Sequence, residues 1–192
     1  MYNELKAALL IAPKNDIRFY LNGVRIMRNG DTLRISVTDG HMLADISINL
    51  LLDAFRDYRQ TIADDTDVII PRTELDAALK LHKKNDQVPM TIDDKVKTVG
   101  LVAFEPIDGR FPAIDRVIDS NAGSCDKHDA TTGIGLGFAK LEQVGKVGKA
   151  FNPADKYAGF RTMVKGATDT VRFETTNRDG ADMILLLSPM RL

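Results

Sequence analysis

The sequence predicts an α+β fold, with helices packed on antiparallel sheets and about three units of similar layout in succession. Three observations lead there. Short segments of alternating apolar residues, bounded by turn residues, recur along the chain. Each set of strands lies next to a stretch whose apolar residues fall at helical spacing. The second and third sets repeat at a period of roughly 60 to 70 residues, longer than common solenoid repeats, which points to duplicated half-domains rather than an array. The chain has 192 residues, 44% hydrophobic and 28% charged, ordinary values for one large or two small globular domains.

The elements follow in order. Leu5, Ala8, Leu9 and Ala12 mark a helical face over residues 4–12 that Pro13 ends. Strands are predicted at Ile17–Tyr20, Val24–Met27, Leu33–Val37 and His41–Ile48, with turns at Asn29-Gly30-Asp31 and Asp39-Gly40. Residues 49–62 fit either an extended strand end or an inserted helix carrying Leu51, Leu52, Phe55 and Tyr58. The second unit opens with the strand Val68–Ile70, then a helix begun by Pro71, capped by Thr73 and striped by Leu75, Ala78, Leu79 and Leu81. Strands at Val88–Ile92, Val96–Phe104 and, more weakly patterned, Phe111–Ile118 complete it. After a polar linker over 120–132 comes a helix carrying Phe138, Leu141 and Val144 up to Phe151, then strands at Phe160–Val164, Thr170–Thr175 and Met183–Leu187. An odd number of units should leave the third with an open sheet edge, which the first unit of a neighbouring copy would cover.

Composition narrows the function classes. A net charge of −1 removes global basicity as an argument for nucleic-acid binding, and the absence of tryptophan disfavours a stacking-dominated single-strand binder. No apolar run reaches a membrane span, and the first residues lack a signal-peptide pattern. With Cys125 the one cysteine, no internal disulfide forms, and a cytoplasmic protein is expected. Cys125, Asp126, His128 and Asp129 cluster, but without a second ligand pair they read as a polar loop. Gly133–Gly137 lacks the spacing of a dinucleotide or phosphate loop and reads as an entry into the following helix. Asp64, Asp65 and Asp67 read as a solvated turn rather than a calcium loop. No catalytic constellation, metal or cofactor is predicted. Two helices are locally basic: one carries Arg72, Lys80, Lys83 and Lys84, the other Lys140, Lys146 and Lys149. Lysines three or four apart share a helix face, so each is either a solvated surface or a strip for phosphates.

Several segments together resemble the bacterial sliding clamp, the beta subunit of DNA polymerase III. Asp16–Gly23 is similar to the family's D-V-R-Y-Y-L-N-G, Thr38–Ala44 to T-D-G-H-R-L-A, and Ile70-Pro71-Arg72 to V-P-R. Asp108–Val117 resembles D-G-R-F-P-D-Y-R-R-V, and Pro189–Leu192 matches P-M-R-L. They occur in family order. The resemblance implies the DNA-clamp fold of β-α-β-β-β half-domains: residues 1–118 resemble the family's middle domain and residues 119–192 the second half of its last one. The chain thus reads as a truncated or atypical member of about one and a half domains. Met42 replaces the family's arginine, Ser188 its usual apolar residue, and the helix start at Gly137–Lys140 shows neither its asparagine nor its tyrosine.

The resemblance implies a non-catalytic processivity factor. It would encircle or embrace duplex DNA without reading sequence and tether a polymerase through a peptide-binding groove. The matching groove positions are Leu21, Thr38, Gly40, His41, Met42, Leu43, Pro112, Arg116, Val117, Leu186, Leu187, Ser188, Pro189, Met190 and Arg191; Leu21, Leu43, Val117, Leu186 and Leu187 serve equally well as core. Arg18, Phe19 and Tyr20 match a segment near the duplex and join the basic-helix residues as candidate DNA contacts. Expected partners are duplex DNA, clamp-binding peptide tails, a clamp loader and further copies of the chain, as a dimer at least or a tetrameric ring. The alternative is a clamp mimic that binds such tails without loading onto DNA.

Overall fold

The computed structural model describes residues 1–121, 134–164, 166 and 169–190. Helix α1 (Tyr2–Leu9) buries Leu5, Ala8 and Leu9 against the meander β1 (Gly23–Asn29), β2 (Thr32–Thr38) and β3 (Met42–Asn49). Residues 49–62 form turns and the short helix α2 (Tyr58–Thr61): Phe55 and Tyr58 are buried, while Leu51 and Leu52 are exposed. Buried Arg28 ties this excursion to β1 by donating to the carbonyls of Arg59 and Ile62. Strand β4 (Asp67–Pro71) leads into α3 (Arg72–Lys80), and the three-stranded sheet β5 (Met90–Ile92), β6 (Lys97–Val99), β7 (Val102–Ala103) follows. Helix α4 (Ile114–Ser120) lies beyond it, then α5 (Phe138–Phe151), β8 (Arg161–Met163), β9 (Val171–Thr176) and β10 (Asp182–Leu187).

Seven strands join in one sheet, in the order β4-β1-β2-β3-β10-β9-β8. The third unit therefore pairs with the first inside the same chain, through β3 and β10 from Met42↔Leu187 to Ser47↔Asp182. This corrects the expected open edge: the inner edge of the third unit is covered by its own chain, because the first unit's last strand presents a free ladder of matching length. Among the described residues, the outer strands are β4 and β8 in this sheet and β5 and β7 in the smaller one, with β7 and β8 both short.

Alternation divides the sheet into two faces. Val24, Ile26, Leu33, Ile35, Ala44, Ile46, Leu185 and Leu187 enter the main core with α1, which packs against both α3 and α5. Burying each large side chain here contributes about 1.5–3 kcal/mol. The other face carries Leu43, Ile69 and Leu186 and is covered by residues 107–118, through Phe111, Ile114 and Ile118.

Three further expectations are corrected. Ile17–Tyr20 is not a strand: Asp16 N–H donates to Asn22 Oδ1 (2.7 Å), and Asn22 Nδ2 donates back to the Asp16 carbonyl (2.9 Å), closing a loop. A 3₁₀ turn at Phe19–Leu21 completes it, leaving Ile17 97% exposed. Phe111–Ile118 is not a strand either, because Ile114 and Ile118 lie one helical turn apart and α4 buries both. Thr73 does not cap α3; Pro71 occupies the cap, and the Thr73 hydroxyl donates to Glu74.

Candidate peptide groove and helical face

On the sheet face away from α1, α3 and α5, a groove of about 260 Å³ opens beside α4. Its floor follows from strand register. Thr38 pairs with Leu43, and Leu43 with Leu186, so one row of side chains crosses β2, β3 and β10. Leu21 from the 3₁₀ turn and Pro112, Ile114 and Val117 from the covering segment add apolar walls. Arg18, Tyr20, Gly40, His41, Met42, Thr170 and Ser188 complete the lining.

The turn between β2 and β3 is held rigidly. Asp39 Oδ1 accepts from the N–H groups of His41 (2.8 Å) and Met42 (2.7 Å). The Thr38 hydroxyl donates to the Met42 carbonyl (2.8 Å) and accepts from Gly40 N–H (3.0 Å). Gly40 adopts φ +88°, a left-handed conformation that favours glycine. A Cβ there would also lie 2.8 Å from the Arg18 guanidinium, which donates to the Asp39 carbonyl (3.2 Å). Arg18 makes two side-chain bonds to Asp16, and these hold the Asp16 carboxyl down at about 2. Lys140 at the start of α5 reaches Asp39 Oδ2 at 2.6 Å. Burial opposes ionisation of Asp39, but Lys140 and the two backbone N–H groups outweigh it and keep this carboxyl below its ordinary value. The third unit thus braces the groove's rim.

The covering segment is latched to the sheet. Arg34 bridges Asp45 (2.8 Å) and Asp115 (2.7 Å), and Arg172 donates to the Ile118 carbonyl (3.1 Å) while pairing with Glu174 (2.7 Å). Ser36 adds a 2.6 Å bond to Asp45.

Of the residues expected in a groove, Leu21, Thr38, Gly40, His41, Met42, Leu43, Pro112, Val117, Leu186 and Ser188 line it. Leu187 does not: it alternates with Leu186 and Ser188 and faces the main core. Arg116 is exposed outside the lining, and Pro189 lies beyond it. Met190 donates its N–H to the Gly135 carbonyl (2.8 Å) and is half exposed. Arg191, like the cluster from Cys125 to Asp129, lies outside the described residues. Ile114 and Thr170 were not expected. Ile114 was readable in principle, lying inside the Asp108–Val117 motif, whereas nothing local marks Thr170.

The candidate DNA contacts divide. Arg18 and Tyr20 line the groove, and Phe19 is exposed, stacked edge-on with Tyr20 (5.7 Å). Arg72 donates to the carbonyls of Leu9 (2.5 Å) and Ala12, holding the C-terminal end of α1. On the helical face, Lys80 pairs with Asp76 and Lys146 with Glu142, each at 2.7 Å, and Lys84 donates to the Pro153 carbonyl (3.2 Å). Lys83 and Lys149 are exposed. Among the described residues, no group of three His, Cys, Asp or Glu side chains could hold a metal ion, and no helix is long and apolar enough to cross a membrane.

A long antiparallel sheet with helices on one face and an apolar groove on the other is the architecture of DNA-clamp proteins. Residues 3–113 match the family model for the DNA polymerase III beta subunit, central domain, and the chain belongs to that family, the bacterial sliding clamps. It is 34% identical over 110 residues to the beta sliding clamp of Pseudomonas aeruginosa, covering 55% of this chain and 28% of that protein. Against the beta sliding clamp of Escherichia coli K12 it is 31% identical over 138 residues, covering 67% and 33%. The match thus spans about a third of the length of these curated relatives. The crystal structure of the P. aeruginosa DNA polymerase III subunit beta superposes with a TM-score of 0.67 at 18% identity, over 99% of this chain and 64% of that one. The Helicobacter pylori beta clamp bound to a DNA ligase peptide superposes with a TM-score of 0.69 at 11% identity, over 99% and 63%. At these identities the superpositions speak for the fold, and they extend it beyond the residues the family model matches.

Proposed function

We propose that this chain is a non-catalytic, clamp-type tether whose groove takes a short peptide tail of a replication protein while its helical face meets duplex DNA. Residues 1–118 would act as a middle-type clamp domain and 119–192 as a partial last domain. The observation that carries the reading is the groove itself: side chains from three distant segments converge on one apolar row beneath a braced turn. Such a site is concave, mostly apolar and rimmed by a few fixed polar groups, which suits a peptide anchor. Its placement opposite the helices lets peptide and DNA bind together. A partner polymerase or similar factor, a clamp loader and further copies of the chain, joined through the short edges at β7 and β8, complete the proposal. Light scattering across a concentration series tests the assembly, and a strictly monomeric species would remove the ring.

The peptide reading is tested by titrating a labelled Gln-Leu-containing peptide. Saturable binding is expected, with a loss of about tenfold or more in Val117→Asp, which places a charge at a half-exposed groove wall. Equal affinity in the variant would place the peptide elsewhere. A second reading, a mimic that captures tails without embracing DNA, is favoured by the pairing of Lys80, Lys140 and Lys146 with acids of the same chain.

A further inference from the structure

A second cavity lies away from the groove, on the side of α5. It holds about 500 Å³ and is formed by the second half of α5, the following loop, β8's approach and the end of the α3 segment. We propose that it is a site for a nucleotide of single-stranded nucleic acid, with the base against Phe160 and the phosphates among Lys84, Lys149 and Lys156. The inference rests on reading the helical face as a nucleic-acid face, and adds that an unpaired base is what this part of it accepts.

Three features carry it. The first is charge: three lysines from three different segments line the cavity, Lys84 donating to the Pro153 carbonyl (3.2 Å) within that lining, and Asp155 is the one acid among the lining residues. Asp155 Oδ1 is already engaged, accepting the Tyr157 N–H at 2.8 Å. The second is the aromatic wall. Phe160, which lines the cavity, is half-buried and packed edge-on against Phe173 (5.6 Å); Tyr157, outside the lining, is 87% exposed with Lys156 5.7 Å from its ring. Phosphates alone require only positioned cations on an open surface. A concave site pairing cations with one aromatic ring suits the flat face of a single base, a smaller demand than the stacking-dominated strand binding that the composition disfavours.

The third feature is Gly145. Two glycines of α5 line the cavity, and they differ. Gly148 is explained by packing, since a Cβ there would lie 2.8 Å from ring carbons of Phe160. Gly145 is not: a Cβ there meets nothing within 4 Å. A glycine inside a helix destabilises it relative to alanine, and none of the described residues occupies the room it leaves. That room belongs to the cavity.

The test is fluorescence anisotropy at low salt with labelled oligo(dT) and a blunt duplex of equal length, on the full 192-residue chain. The expected result is a preference of about tenfold for the single strand, the size of one stacked base. Gly145→Leu, which replaces a poor helix former with a good one, should remove that preference and leave duplex affinity unchanged. Lys156→Gln should weaken the single strand more than the duplex. Duplex binding with no single-strand preference, or undiminished oligo(dT) affinity in Gly145→Leu, would overturn this site alone. Failure of both probes to bind would overturn the nucleic-acid reading of the helical face and this site with it.

Discussion

The two faces of the large sheet are built on different principles. On the groove face, the polar groups that frame the apolar row are held by fixed partners: Asp39 by two N–H groups and Lys140, Thr38 by its own turn, and the covering helix by Arg34 and Arg172. On the helical face, Lys80 and Lys146 are long side chains paired with acids on their own helices. Rigid, satisfied surroundings suit recognition of one shape, because the ordering cost is already met on folding. Exposed lysines suit phosphates at any sequence, since a swap of an intrahelical partner for a phosphate costs little. On the proposed function, the molecule separates what must be specific from what must not be.

The strongest way to break this comparison is to reverse the charge of the helical face. Changing Lys80, Lys83, Lys146 and Lys149 to glutamate should cut retention on duplex DNA by about a hundredfold or more. It should also flatten the dependence of log affinity on log salt by about 3 to 4 units. Peptide affinity should not change. Retention measured across a salt series decides this, and a loss of peptide binding in the same variant would show that the faces are not independent.

Arg72 sharpens the comparison, because its sequence context places it with the DNA cations and its geometry does not. It donates to the carbonyl of Leu9, the last residue of α1, and to that of Ala12 just beyond it, where helix-end carbonyls lack helical partners. Arg72→Ala should therefore lower unfolding stability by about 1–3 kcal/mol, the cost of leaving such groups unsatisfied, and leave the salt slope for DNA unchanged. Denaturant unfolding and the salt series together separate the two roles.

A smaller effect is expected from the brace at Asp39. A carboxyl depressed on folding stabilises the folded state above its unfolded pKa, and the contribution fades as pH falls through the folded value. Peptide affinity should thus hold at neutral pH and decline below about pH 4. Asp39→Asn should lose several-fold affinity at pH 7 and no longer show the contribution of this group in the acid decline. Peptide titrations at a series of pH values check both statements.

These contrasts also show what the sequence could and could not convey. The meander β1–β3, the helix α3 and the strands β9 and β10 are legible from alternation and turn residues, because each is decided within its own neighbourhood. The pairing of β3 with β10 is not, since it joins residues about 140 apart and depends on which edge is free. Phe111–Ile118 misleads for a related reason: Phe111, Ile114 and Ile118 suit a strand by composition, and only the sheet beneath selects the helical spacing. For the groove, motif positions on β2, β3 and β10 converge because register aligns them. Arg18 and Tyr20 escape that reading, as their direction is set by the Asp16–Asn22 closure rather than by a strand. Leu187 shows the limit of reading a run of neighbours as one site, since alternation sends every second side chain to the opposite face.

The smallest expected effect tests whether the paired lysines are available at all. Lys146 holds Glu142 one turn back on α5, and this contact draws the Glu142 carboxyl below its ordinary value. Both side chains are exposed, so the pair competes with water and salt and contributes little to folding. If a phosphate displaces Glu142 during DNA binding, then Glu142→Gln removes a competitor and a nearby negative charge in one step. Thermal stability should stay the same within error, and duplex affinity should rise by at most about fivefold, the upper end of what an exposed pair is worth. The rise should vanish at high salt, where the pair is already screened. An unchanged affinity at low salt would mean that Lys146 does not reach the duplex, and would narrow the helical contact to Lys80, Lys83 and Lys149.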